Sequence, residues 1–148
     1  MSRLFVPRSV PAPVSFGLLL VRVVTVVALG LHGAGKLGNL TGWMPESAGF
    51  PPALLPVAAI AEGIGGWLLA AGFLTPIAAL GAVGVMAGAV WHHVNQGHPF
   101  VPGAQGGPSF ELAASFLAGS VLVLLAGPGG ISVDAVAFKR RGAGAGGA

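Results

Sequence analysis

Cysteine and tyrosine are both missing from this chain of 148 residues. Without thiols there can be no disulfides, no thiolate metal ligands and no thiol nucleophile, which excludes thiol–disulfide relay chemistry. Without phenols there is no tyrosyl radical and no phenolic acid. Charge is scarce as well: 7% of the residues are Asp, Glu, Lys or Arg, against about a quarter in a soluble domain. Such a chain cannot clothe itself in a hydrated surface. Its apolar fraction is 54% and its mean hydropathy +0.86, so lipid must replace water over much of the molecule.

A sequence pI near 10.8 might suggest a nucleic-acid binder, but the basic residues form no face or stripe. Arg3 and Arg8 precede the first apolar run, and Lys139, Arg140 and Arg141 follow the last. Charges so placed orient a membrane protein. No nucleic-acid partner is expected; the bilayer is the expected surroundings.

Four apolar runs follow one another. The first covers about Val14 to Leu37 and is interrupted by Arg22, His32 and Lys36. It exceeds the 7–15 residues of a signal-peptide core and carries an internal Arg, so it is expected to be retained. The second begins after Pro51-Pro52 and reaches Phe73, with Glu62 near its middle. Thr75-Pro76 reads as an N-cap and first helical residue opening a third run to about Val94. The fourth starts at Pro108-Ser109 and stops at Gly127-Pro128-Gly129-Gly130.

These runs predict an all-α integral membrane four-helix bundle over residues 14–127, since a helix needs about 20 residues to cross the hydrocarbon. Residues 1–13 form a cytoplasmic flank. Residues 128–141 read as a short amphipathic helix at the interface, with Asp134 serving that helix, and 142–148 as a disordered Gly/Ala tail. The basic flanks place both termini in the cytoplasm, and the connections 38–52 and 95–108, free of Lys and Arg, face outward. Gly63, Gly65-Gly66, Gly81 and Gly84-x-x-x-Gly88 allow close helix approach.

Ionisable groups at membrane depth require partners or a wet cavity, and function is the default reading. At 100° per residue, Arg22, Thr25, His32 and Lys36 share one arc of roughly 80° on the first helix. By depth, His32, Lys36, His92 or His93, and Glu111 converge below the outer surface, with Trp43, Trp91 and His98 in reach and Glu62 as the floor. Bland alternatives stand beside this. Arg22 can partner Glu62 or helix-end carbonyls, Lys36 can snorkel to headgroups, Trp43 and Trp91 can be interface-belt aromatics, and His98 can be a solvated loop residue. Two His with one or two carboxylates could ligate a metal, but adjacent His92 and His93 cannot both face inward, so the metal signal is weak and no metal ligand is assigned.

The segment LLLVRVVTVVALGLHGAGKL resembles the first helix of the DoxX family, with its early Arg and its His-Gly-x-x-Lys near the end. AAIAEGIGGWLLAAGFLTPIAAL is similar to that family's second helix, and AVWHHV, FELAASFLAGSVLVLLAGPGGISVD and the basic tail fit as well. The resemblance spans residues 16–141. It implies a multi-pass protein of the bacterial inner membrane, in a family that includes subunits of thiosulfate:quinone oxidoreductase and membrane partners of soluble redox enzymes. It matches Arg22, His32, Lys36, Glu62, His93 and Glu111 to recurrent polar positions.

The expected function is that of a subunit in a quinone-linked redox system. His32, Glu62 and Glu111 are the candidate catalytic residues, and Lys36, His93, Trp91 and Arg22 are candidates for holding a membrane quinone. The chain has no redox centre of its own, so electrons must come from a substrate or a soluble or membrane redox partner. Two alternatives remain open: a non-catalytic scaffold for soluble redox enzymes, and a small-solute or proton carrier, which the lack of an inverted repeat disfavours.

Overall fold

Apolar runs of this length fold as helices in lipid because only a helix satisfies every backbone N–H and C=O within the segment. The computed structural model describes residues 10–143, with the side chains of 139–143 excluded. Arg3, Arg8, the side chains of Lys139, Arg140 and Arg141, and the tail 144–148 therefore lie outside the described residues. Among the described residues there are five principal helices and no strand: α1 Ala12–Leu37, α2 Leu55–Ala71, α3 Thr75–Asn95, α4 Glu111–Ala126 and α5 Val133–Ala143.

The chain is a multi-pass membrane protein. Helix α1, α2 with its leading turn at Pro52–Leu54, and α3 are each long and apolar enough to cross a bilayer. Helix α4 is apolar but has 16 residues, about 24 Å at 1.5 Å per residue, which is shorter than a hydrocarbon core of about 30 Å. Outward side chains are large and apolar on every one of these helices: Val24, Leu31, Val57, Ile77, Leu80 and Leu125 are all more than half exposed.

The four apolar helices pack in sequence, α1 on α2, α2 on α3, α3 on α4, and α4 returns to the middle of α1. The interior is small-grained: Leu29, Leu69, Ala79, Ala82, Met86 and Val123 are buried. Because lipid tails are as apolar as leucine, such a core gains from close packing and not from leaving water.

Helix α1 is not a regular α-helix. Arg22–Val26 form a π turn, which inserts a residue and rotates what precedes it by about 100°. Thr25 Oγ1 donates back to the Val21 carbonyl. The shared polar arc expected for Arg22 and His32 assumed unbroken periodicity, and the π turn separates them.

Arg22 is fully buried and points to the end of the bundle where α2 turns into α3. Its guanidinium donates to the carbonyls of Ala70 and Ile131. It is thus a partner of helix-end carbonyls and not of Glu62. Gly72 makes room for it: a β-carbon there would lie 2.0 Å from Arg22 Nη1, and its φ of +67° suits glycine.

Asp134 is also fully buried. Its carboxylate accepts from the backbone N–H of Leu74 (2.9 Å) and of Thr75 (3.0 Å), while its charge reaches Arg22. The carboxylate caps α3 from 59 residues away and favours its N-terminal dipole. Thr75 was expected to cap this helix; instead it is the first helical residue, and its buried Oγ1 has no hydrogen-bond partner. Leu74 has φ +50°, a left-handed conformation that costs a leucine about 1–2 kcal/mol, and the bond to Asp134 offsets that strain. Helix α5 is consequently tied into the bundle at its first turn.

Candidate functional site

Glycine pairs set the crossing of α1 and α2. A β-carbon on Gly33 would lie 2.1 Å from the backbone nitrogen of Gly63, and one on Gly66 would lie 2.8 Å from the backbone of Gly30. No side chain larger than hydrogen fits at these contacts. The helices are also staggered, so α1 ends where α2 is still two turns from its start. Both features bring Lys36, near the last turn of α1, against Glu62.

Lys36 Nζ donates to Glu62 Oε2 at 2.5 Å. The lysine side chain is 22% exposed and the glutamate 5%. Trp43 completes the arrangement from the 38–51 connection: its ring centroid is 4.2 Å from Lys36 Nζ, and its Nε1 donates to the Leu55 carbonyl at 3.2 Å. That bond pins the loop to the start of α2. A cation over an indole face contributes about 0.5–2 kcal/mol.

Two cavities flank the ion pair. One, of about 190 Å³, is bordered by His32, Met86, Ser109 and Phe116. The other, of about 150 Å³, is bordered by Trp43, Phe50, Val85 and His92. Lys36, Glu62 and His93 border both. An ammonium has three donors, so the bond to Glu62 leaves Lys36 able to donate into a cavity. The His32 ring lies 6.3 Å from that of Phe116, and His32 is an exposed residue bordering the larger cavity.

His93 extends the site outward. Its Nδ1 lies 2.8 Å from Nδ1 of His98, so one ring donates and the other accepts. His98, expected as a solvated loop residue, is half-buried and joined to the cavity wall. His92 packs edge-on against Phe50, 5.9 Å between centroids. Among the described residues, no three His, Cys, Asp or Glu side chains group closely enough to hold a metal ion.

The structure therefore brings His32, Lys36, Glu62 and His93 together and leaves three other candidates apart. Glu111 opens α4 as an exposed residue and borders neither cavity. Trp91 is 61% exposed on the outer side of α3. Arg22 belongs to the α2–α3 turn. Sequence reasoning missed the Lys36–Glu62 pairing and the walls supplied by Phe50, Met86 and Phe116. The legible signal for the pairing was a glycine beside each partner, Gly33 one turn before Lys36 and Gly63 directly after Glu62.

Among known families, residues 17–94 match the model of the DoxX family. The matched segment runs from α1 to the end of α3 and so contains the ion pair, His32 and His93; residues 95–141, included in the resemblance, fall outside it. No curated protein and no solved structure matches the chain.

Proposed function

The chain belongs to the DoxX family, and from that premise we propose that it is a membrane subunit of a quinone-linked redox system, with the quinone ring held beside Lys36 and Glu62. The observation that carries this reading is a lysine–glutamate pair enclosed among apolar helices and flanked on both sides by cavity. A buried ion pair is expensive to maintain and is seldom retained for stability alone. The orientation that goes with this reading has α4 as a fourth crossing, both termini in the cytoplasm of a bacterium, and the site near the periplasmic face.

A bound quinone supplies the acceptor for two electrons and two protons delivered in forming the quinol. The electrons come from the reduced centre of a partner enzyme or from an oxidisable substrate, because cysteine and tyrosine are absent from the chain. The residues of this chain bind and supply protons. Lys36 would hold a ring oxygen by donating to it, His32 would border the ring in the larger cavity, and Glu62 would keep Lys36 in place and exchange protons at its carboxylate. The His98–His93 pair, joined ring nitrogen to ring nitrogen, would lead protons from the loop to the cavity wall.

The test is binding of a tail-less benzoquinone to the protein in lipid nanodiscs. Wild type is expected to bind, and Lys36→Met/Glu62→Met and His32→Ala are expected to weaken binding at least about tenfold. Quinone binding indifferent to all three residues, in protein that still folds, contradicts the reading. Co-purifying redox enzymes retained by these variants would then favour the scaffold alternative.

A further inference from the structure

The glycines Gly84 and Gly88, spaced as in a helix-packing motif, are not used for packing within the chain. A β-carbon added at either would meet nothing within 4 Å. They instead form the floor of a trough between α2 and α3. Its two sections, of about 420 and 390 Å³, share Val57, Ala61 and Gly81 and so run on continuously. The trough extends from Leu74 at the α2–α3 turn to Gly88, about 21 Å along α3 at 1.5 Å per residue. Its named walls are apolar throughout: Ile60, Ile64, Leu68, Ile77 and Leu80.

The decisive feature is where the trough leads. Phe50, Ala58 and Val85 border both its upper section and the smaller cavity beside Lys36 and Glu62. An apolar trough longer than one leaflet, of about 15 Å, thus shares a wall at one end with the cavity beside a charged pair. We infer that this trough receives the aliphatic tail of a quinone whose ring occupies the Lys36–Glu62 site, an inference that rests on the function proposed above. A second helix seated along Gly84 and Gly88 would need close approach but no adjoining polar cavity. A ring with a tail needs both.

The tail gains little from leaving lipid, since the bilayer is as apolar as the trough. What the trough provides is a path, so blocking it must act on tailed ligands alone. Gly84→Leu and Gly88→Leu place side chains into open space at helical positions where leucine is better tolerated than glycine, and both variants are expected to fold. The experiment titrates wild type and each variant, in nanodiscs, with a tail-less benzoquinone and with the same ring carrying a decyl chain. Each variant is expected to lose at least about tenfold in affinity for the decyl compound and to bind the tail-less ring within twofold of wild type. Equal binding of the decyl compound by wild type and both variants overturns the trough as the tail's path, while leaving the ring site intact. Absence of binding by either compound to wild type rejects the ring site itself, and the trough inference falls with it. A wild-type dimer in nanodiscs that Gly84→Leu converts to monomer identifies a second copy as the occupant and also overturns it.

Discussion

Removing Lys36 alone should do more harm than removing Lys36 and Glu62 together. Lys36→Met leaves a carboxylate that is 5% exposed with no partner, and breaking a buried ion pair from one side costs about 3–5 kcal/mol. The lower end applies here, because the lysine side of the pair is 22% exposed and its surroundings are not fully dry. Glu62→Met is milder, about 1–2 kcal/mol, since the freed lysine can extend toward the headgroups. The double variant replaces the pair by two side chains that fill similar volume and carry no charge, and such exchanges are often neutral. It is expected within about 1 kcal/mol of wild type, giving a coupling of roughly 3–6 kcal/mol between the sites. The assay is reversible unfolding in mixed micelles with rising dodecyl sulfate fraction, followed by circular dichroism. Additivity of the two single substitutions within about 0.5 kcal/mol would refute the claim that these groups form one enclosed unit.

Other outcomes follow from the same packing. Gly33→Ala, whose methyl would press on the Gly63 backbone, should abolish accumulation of folded protein or lower its melting temperature sharply. Gly84→Ala should instead be neutral or stabilising by up to about 1 kcal/mol, a contrast that thermal scans of the two variants will read. Asp134→Ala removes the cap on α3 and the charge near Arg22, and should cost about 1–3 kcal/mol in the same micelle assay; Asp134→Asn, which keeps an acceptor, should recover part of it. The absence of cysteine makes topology directly readable. Single cysteines replacing Ser47 and Ala104 should react with an impermeant maleimide on intact cells, and one replacing Ser2 only after the membrane is opened.

Helix positions and the membrane class were legible because they depend on local composition: long apolar runs bounded by Pro and Gly leave few choices. What the sequence hid was anything set by register or by distant contact. The arc joining Arg22 to His32 was drawn on an ideal helix, and one π turn, invisible to periodicity, separated them. Thr75 had the chemistry of an N-cap, but the cap came from Asp134 across the turn, which no local window contains. Glu62 stood as the floor of the site and as one of two partners open to Arg22, the other being helix-end carbonyls; the close crossing of α1 and α2 at Gly30, Gly33, Gly63 and Gly66 gave it to Lys36. The gathering of His32, Lys36 and His93 was foreseeable because each is a polar group toward the outer end of its helix, with Glu62, near the middle of its own helix, as the floor beneath them. Glu111 met the same criterion and still fell outside, since it lies on the exposed first turn of α4.

The most direct measurement is photolabelling in native membranes with an azido-benzoquinone, followed by peptide mass spectrometry. Attachment is expected within residues 29–36, 58–62 and 85–93, competed by excess unlabelled quinone and lost in Lys36→Met/Glu62→Met. Label spread over the lipid-facing side chains Val24, Ile77 and Leu125, with no competition and no dependence on the ion pair, would contradict a quinone site inside the bundle.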